Sequence, residues 1–587
     1  MKIFTLLFVF LVLSFSLSYS QDMRAKKISS AYEDGSSYVV NNIGVPVPFI
    51  LNPINPSGTI PTMVTFADYV TNGNNLRKVW VLGDTVIATG DYLDSMAALN
   101  TRTIRYNVSF DGGVTWGTTP LIVSEVDNQA YGCINRVFTT TPTVTVSGRQ
   151  YAPGSRAFAG VDLVMGLGNF DYTLNPATGQ DYFSRILSST ELGGVYRSGD
   201  SLFYEKYDFI NKTFSSTVFV AASPDFDASG RLSCDIASNG QNVFAVGYLS
   251  ASPEKIFGRE STNGGTSFGP LTTITPDVAV VNGDSTMPWP SFDVIYKPGT
   301  TQKCVAWQTL YPGNFITRRG CKILFWSPTI NSGNPVIVAD WRDTAVTLLN
   351  DSLLFETAPH NYQINMSPLC HPSLAYTDNG SRLICTFLGA QRDTSSYGFQ
   401  YFDVFAAYSD DDGATWSDAR NLTHTSSLDE IYVSLSKTGN LQTNVGMVFQ
   451  VSECPGSSSF NQTPPTTPQC PVYWVYRRYD PVTGAQLPIG VKTISNEIPK
   501  TYSLAQNYPN PFNPSTKIKF NMPKNGLVTL KVYDMLGRVV STLVNNEFVT
   551  AGEKEVTFAG QNLASGIYFY RIEAGEFTAT RKMTLVK

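Results

Sequence analysis

Ser109-Phe110-Asp111-Gly112-Gly113-Val114-Thr115-Trp116 and Ser409-Asp410-Asp411-Asp412-Gly413-Ala414-Thr415-Trp416 are two copies of one eight-residue pattern. Ser261-Thr262-Asn263-Gly264-Gly265-Thr266-Ser267-Phe268 is a degraded third copy, with Asn for Asp and Ser for Thr. The residue types dictate a tight turn. A carboxylate at Asp111 or Asp411 can accept backbone N–H bonds within its own turn, and Asn263 keeps an acceptor oxygen. Gly113, Gly265 and Gly413 permit a left-handed backbone. The hydroxyls of Thr115, Thr415 and Ser267 can close the turn, and Trp116, Trp416 and Phe268 plug a gap beside the next strand. The full copies follow candidate strands, Ile104-Arg105-Tyr106-Asn107-Val108 and Phe405-Ala406-Ala407-Tyr408.

The copies start 152 and 148 residues apart, about three times a unit of roughly fifty residues that recurs between Trp80 and Val491. Repeats of this length point to propellers or arrays. Unmarked units fit between the copies. Gly193-Gly194-Val195-Tyr196 through Phe214 reads as strand, turn, strand. So does Phe292 through Trp326, and His371-Pro372-Ser373-Leu374-Ala375-Tyr376 opens the unit that ends in the second full copy. The hairpin around Cys454 and Cys470, ending at Tyr479-Asp480-Pro481-Val482-Thr483-Gly484, reads as the last unit; residues 131–185 give the weakest one.

The eight-residue pattern resembles the Asp-box, or bacterial neuraminidase repeat, whose turns sit on propeller rims as structural elements. The resemblance implies an all-β body, residues 21–491, forming a six- or seven-bladed β-propeller. Residues 23–80 would supply a closing strand, because a propeller must join its ends. A calcium or catalytic role for Asp410-Asp411-Asp412 is the functional alternative to a structural turn.

Composition agrees with many short strands. Aromatics make up 12% and charged residues 15% of 587, with 46 Gly and 34 Pro. Such a mix favours strands and turns over helices. Charge is uneven: residues 499–587 hold 11 Lys/Arg and 6 Asp/Glu, leaving 31 and 41 for the acidic remainder. An acidic body argues against nucleic acid and anionic membranes as partners.

The end of the chain carries a second signature. Ala505-Gln506-Asn507-Tyr508-Pro509-Asn510-Pro511-Phe512-Asn513-Pro514 is followed by alternating segments, Lys517–Phe520, Val528–Tyr533 and Ile567–Ile572, which read as half-buried strands. Turn signals lie at Pro523-Lys524-Asn525-Gly526, Leu536-Gly537-Arg538 and Ala574-Gly575-Glu576. The prolines make the opening an extended lead-in or edge. Together with Val532-Tyr533-Asp534, Leu563-Ala564-Ser565-Gly566-Ile567-Tyr568 and the terminal position, this segment resembles the C-terminal sorting domain of the type IX secretion system of Bacteroidetes and their relatives. It implies a small Ig-like β-sandwich over 499–587, joined by a linker at 492–498. The implied partner is the export machinery, and the implied destination is the outer-membrane surface or the medium. Residues 1–20 agree: Lys2, an apolar run from Ile3 to about Leu17, then Ser18-Tyr19-Ser20 form a signal peptide. No other run is long enough to span a membrane.

Eight cysteines in an exported chain suggest disulfides. Cys454 and Cys470 sit at the mouth of one hairpin and are the candidate bridge. Cys304–Cys321 and Cys370–Cys385 are close in sequence, yet hairpin register does not set them opposite. Three histidines and no C-x-x-C spacing weigh against metal. No cofactor is expected.

Sialidases are Asp-box propellers, and the family's chemistry uses three arginines on a carboxylate, a Tyr–Glu pair and an Asp acid/base. Its Phe/Tyr-Arg-Ile-Pro motif is missing here; Thr103-Ile104-Arg105-Tyr106 and Ser184-Arg185-Ile186-Leu187 are the nearest strings. Arginines 102, 136, 197, 231, 259, 342 and 392 and the dipeptide Tyr204-Glu205 are available. Two flanking carboxylates would serve another glycosidase, but many Asp and Glu could fill that role. The reading favoured is a surface propeller that binds carbohydrate or protein without catalysis, since Tyr and Trp suit both. A sialidase-like or other exo-acting glycoside hydrolase is the alternative.

Overall fold

The computed structural model describes residues 59–587 except 66–75, 94–101, 119–120, 124–128, 138–142, 152–153, 177–179, 228–229, 251–253, 276–277, 313–319, 343–365, 395–399, 426, 456–469, 488–490, 496–498, 525, 550 and 561–562. The proposed signal peptide, 1–20, lies outside the described residues.

Seven antiparallel sheets of four or five strands follow one another along the body. Blade 1 covers 79–122, blade 2 129–174, blade 3 180–222, blade 4 231–275, blade 5 279–340 and blade 6 369–421. Blade 7 is built from Asp429–Leu435, Val445–Ser452 and Val472–Tyr479, and Thr59–Thr65 adds its outermost strand. The closing strand foreseen in 23–80 is therefore this segment, and the blade count is seven. The stretch 131–185, which carried the weakest sequence signal, holds a regular four-stranded blade over 129–174 and the first strand of the next.

The inner strands are buried yet mix polar with apolar residues, as in Arg231–Ile236 and Asp429–Leu435, because one face lines the axis and the other packs on a neighbour. Each is hydrogen-bonded to the next, and the bonds close a ring. Lys78 N–H donates to Ser434 Oγ (blades 1 and 7) and Ile134 N–H to Arg77 O (2 and 1). Asn135 Nδ2 donates to Ser184 O (2 and 3) and Cys234 Sγ to Phe183 O (4 and 3). Tyr296 N–H donates to Asp235 Oδ2 (5 and 4), Leu374 N–H to Asp293 Oδ2 (6 and 5), and Leu435 N–H to Ser373 Oγ (7 and 6). All seven blade junctions carry such a bond.

Register places the one disulfide. Val451 lies opposite Tyr473 in blade 7. Three further residues on each strand bring Cys454 opposite Cys470, and these two are bonded, Cα–Cα 6.1 Å. The other six cysteines are free and buried. Cys370 faces Leu388 and Cys385 faces Leu374, so that hairpin cannot join them.

The C-terminal domain is a sandwich of two four-stranded sheets over a core that includes Ile518, Phe520, Val528, Leu530, Tyr570 and Ile572. Ser515–Met522 alternates buried and exposed residues, as its sequence does. Residues 492–498, read as a linker, differ from that expectation. Val491–Ser495 forms the edge strand of one of these sheets, antiparallel to Gly552–Ala559. Lys492-Thr493-Ile494-Ser495 is a short alternating run that carries too little pattern to be told from a linker. The proline-rich opening does run along an edge. Phe512 N–H donates to Thr584 O, Val586 N–H to Phe512 O, and the Tyr570 hydroxyl donates to Ala505 O at 2.7 Å.

Ile60 and Met63 of the closing strand are buried in the core shared by blades 1, 6 and 7. Ile60→Ala should cost about 2–5 kcal/mol, read as a lower urea midpoint of the propeller transition. The sandwich core should unfold unchanged. A propeller midpoint within error of the parent would mean that Thr59–Thr65 does not close the ring.

Candidate functional site

The antiparallel order fixes two faces. Every inner strand starts at one face, here the upper, and the corners between third and fourth strands lie at the lower. The three Ser-x-Asp/Asn-x-Gly turns occupy lower corners, in blades 1, 4 and 6. Ser109 Oγ accepts from Gly113 N–H at 2.8 Å and donates to Asp111 Oδ1 at 2.7 Å. Asp111 accepts Thr115 N–H at 2.8 Å and the Thr115 hydroxyl at 2.6 Å. Ser409, Asp411, Gly413 and Thr415 repeat the pattern, and Asn263 Oδ1 receives Ser267 N–H at 3.0 Å in the third. Burial raises the Asp411 carboxyl, but bonds from Thr415, Ser409 and backbone N–H outweigh it and hold the group below its usual range.

The aromatic that ends each turn packs on the third strand of the preceding blade, where sequence had assigned it to the next strand. Trp116 meets Tyr476 of blade 7, Phe268 meets Tyr204 of blade 3, and Trp416 meets Phe325 of blade 5. Gly413 has φ +97°, and a Cβ there would stand 2.2 Å from Phe325. The turn thus needs glycine for both backbone and space. Asp410, Asp411 and Asp412 diverge: Asp410 pairs with Arg382 at 2.7 Å, Asp411 closes its turn and Asp412 pairs with Lys297 at 2.7 Å.

The axis holds charge. Arg77 of blade 1 pairs with Asp293 of blade 5 at 3.3 Å, and Lys437 of blade 7 pairs with Asp235 of blade 4. These blades are not neighbours, so the side chains meet across the central channel. Arg185 of blade 3 lies 3.6 Å from Asp235. Burial tends to raise the Asp235 carboxyl, but Lys437, Arg77 and Arg185 together hold it below its usual range.

Above this plug the inner strands bulge. Tyr131, His371 and Tyr432 have φ of 62°, 51° and 56°, each at a one-residue register shift near the start of an inner strand. Such values are rare for bulky residues, and bulges re-aim side chains beside functional sites. Asp91 accepts the Tyr131 N–H at 3.1 Å, and Gln308 accepts that of His371 at 2.9 Å. On one side of the mouth, Arg102 lies over Tyr131 and Tyr151 at 5.6 and 5.3 Å, and Arg149 over Tyr151 at 4.2 Å. On the other, His371 meets the Tyr432 ring at 5.3 Å and Ser291 Oγ at 3.3 Å. Burial lowers the His371 imidazole to about 4, so it is neutral at physiological pH. Sequence reasoning missed all three bulge residues. Tyr131 precedes Gly, His371 precedes Pro and Tyr432 precedes Val, so no shared local signal marks them.

A pair of buried carboxyls joins blades 6 and 7 at the same upper end. The Thr425 hydroxyl lies 3.1 Å from Asp403 Oδ1 and 2.9 and 2.8 Å from the two Glu430 oxygens, and Asn421 donates to Asp403 at 2.6 Å. One hydroxyl hydrogen cannot serve three carboxylate oxygens, so the pair retains a proton. Burial and the neighbouring Asp403 push Glu430 well above its ordinary range, and burial raises Asp403.

The arginines that a carboxylate clamp would need are dispersed. Arg197 donates to Gly230 O and Arg342 pairs with Asp284 at 2.6 Å, while Arg231 lies opposite Tyr248. The side chains of Arg136 and Arg392 lie outside the described residues. Tyr204 and Glu205 are consecutive on one strand and point to opposite faces. Tyr204 packs on Phe268, whereas Glu205 accepts from Asn175.

Residues 506–586 match the family described as the secretion system C-terminal sorting domain. The C-terminal sandwich is a type IX sorting domain. This sorting domain sends the chain to the cell surface or the extracellular space, and no helix among the described residues is long and apolar enough to cross a membrane. No curated protein matches this chain at a significant level. Among solved structures, a Dyadobacter fermentans protein of unknown function shares 11% identity, covering 72% of this chain and 100% of its own, with a TM-score of 0.36. An endo-1,5-alpha-L-arabinanase from Thermotoga petrophila shares 8%, covering 74% and 98%, with a TM-score of 0.29. A subtype N11 neuraminidase-like protein of a flat-faced bat isolate shares 9%, covering 59% and 87%, with a TM-score of 0.31.

Two measurements check these geometries. Asp111→Ala removes acceptor bonds from a buried turn and should destabilise the propeller by about 2–3 kcal/mol. The same change at the more exposed Asp411 should cost about 1–2 kcal/mol. The raised carboxyl pair has a definite sign: its stabilising contribution is complete below the unfolded value of about 4.5 and is lost as pH rises through the folded value. Urea midpoints should therefore fall with rising pH in the parent and fall less in Glu430→Gln. Parallel pH profiles for the two proteins would rule out the shared proton.

Proposed function

We propose that the exported propeller is a non-catalytic module that binds carbohydrate or protein at the upper mouth of its axis. The observation that carries this reading is the fate of the catalytic candidates. Tyr204 and Glu205 face opposite ways, and Arg197 and Arg342 serve separate blades and partners. The upper end instead holds Arg102, Tyr131, Tyr151 and Arg149 stacked on one another and buried, a packed cation–aromatic frame behind the proposed binding end. On this reading the Ser109–Trp116, Ser261–Phe268 and Ser409–Trp416 turns are Asp-boxes that clip blades together, with no part in binding. The domain plan is a signal peptide at 1–20, a propeller to about 490, and the sorting domain from Val491.

One observation favours the alternative, an exo-acting glycoside hydrolase. Asp403 and Glu430 are two carboxyls with one proton, the currency of acid catalysis in that class. Glycan-array binding without turnover of sialosides or common neutral glycosides supports the binding module. Turnover that disappears in Glu430→Gln, with folding intact, would install the hydrolase reading in its place.

Export gives a second check. Deleting Val491–Lys587 should leave a folded propeller in the periplasm, because the sandwich owns its core. Undiminished truncated protein in the medium would contradict the assigned role of the tail.

A further inference from the structure

The axial plug does not balance its charge. Arg77, Arg185 and Lys437 supply three positive groups, and Asp235 and Asp293 supply two negative ones. These five act on one another: Arg77 is lowered first by burial and also by Arg185, and Lys437 is lowered to about 7 by burial, with Arg77 and Arg185 adding to it against Asp235. The remaining polar neighbours are two thiols, and Cys133 Sγ is placed to donate to Ser184 O at 3.7 Å. Arg185 Nη1 donates to Cys133 Sγ at 3.1 Å, and burial pushes the Cys234 thiol up to about 12, so that thiol is neutral.

A second observation is independent of the count. Arg77 uses both terminal nitrogens, on Leu374 O, Asp293 and Val294 O. Arg185 uses Nη1 on Cys133 and Ser184 O. The Arg77 Nε–H is buried and has no hydrogen-bond acceptor among the described residues, and the Arg185 Nε faces only Asp235 Oδ1, at 3.6 Å beyond hydrogen-bond reach. Both side chains are more than nine-tenths buried. An uncompensated buried cation is costly, and so is a buried donor left unused. A small anion answers both.

We propose that the axial channel binds one monovalent anion of the halide class beside Arg77 and Arg185, at the level of Asp235. The anion neutralises the surplus charge of the plug and takes up guanidinium N–H groups. It is a structural ligand of the ring, because its partners come from blades 1 and 3 and their carboxylates from blades 4 and 5. Binding to the folded state alone makes stability depend on halide concentration.

The test is thermal unfolding of the full chain at pH 6, where Lys437 carries its charge, and constant ionic strength, with sodium chloride exchanged stepwise for sodium gluconate. Chloride should raise the propeller Tm saturably, by about 2 °C or more. Crystals soaked in sodium bromide should show an anomalous peak beside Arg77 and Arg185. Arg185→Met could fail to fold, so the deciding variant is Lys437→Met, whose side chain is the least buried of the three cations. It leaves two cations and two carboxylates, and its Tm should no longer respond to chloride. Equal Tm in chloride and gluconate with no bromide peak would overturn the proposal and assign the relief to proton loss from Lys437. A chloride response that survives undiminished in Lys437→Met would also overturn it, by placing the anion elsewhere.

Discussion

The propeller depends on a closed ring of hydrogen bonds between inner strands. Each blade alone is a twisted meander with an apolar face on either side, and it is stable only between two neighbours. The ring bonds fix how far each blade slides along the next. Four of the seven are accepted by side chains on the inner strands, Asp235, Asp293, Ser373 and Ser434. Two of those acceptors are also members of the axial plug. Asp235 and Asp293 therefore tie seam geometry to the electrostatics of the channel, and neither can be neutralised without disturbing both.

At the lower rim the same problem is solved by a different device. The turns at Ser109, Ser261 and Ser409 spend their polar atoms on themselves and send one aromatic into the preceding blade. Trp116 reaches blade 7, so the first turn reinforces the junction that Thr59–Thr65 also secures from the outside. Three constraints thus converge on the join between the last blade and the first: a strand, an aromatic and the Ser434 bonds to Leu76 and Lys78.

What could be read from sequence was local. The turn motifs announce their hydrogen bonds because donor and acceptor lie within four residues. The Cys454–Cys470 bridge follows from the register of a single hairpin, and the alternation of Ser515–Met522 is visible in its letters. Blade counting reached six or seven and no finer, because blade length varies. The interval between the second and third turns holds only one unmarked blade, because blade 5 and the stretch leading to Leu369 are long. The plug was invisible for a physical reason: Arg77 and Asp293 are 216 residues apart, and Lys437 and Asp235 are 202 apart. No pattern along the chain reports an encounter across an axis. The strained bulges were hidden likewise, since neighbours in adjacent blades hold Tyr131 and His371 in place.

Six buried thiols in a secreted chain set up a race. Once folded, Cys133, Cys234, Cys304, Cys321, Cys370 and Cys385 are shielded from oxidants. Before folding they are open to random oxidation in a compartment that forms disulfides. An all-β ring whose last blade waits for its first strand has many non-local contacts, and such topologies assemble slowly. The chain must therefore reach its sheltered state before the oxidising machinery samples six spare sulfurs. Any delay in blade assembly is converted into covalently trapped, miswired molecules.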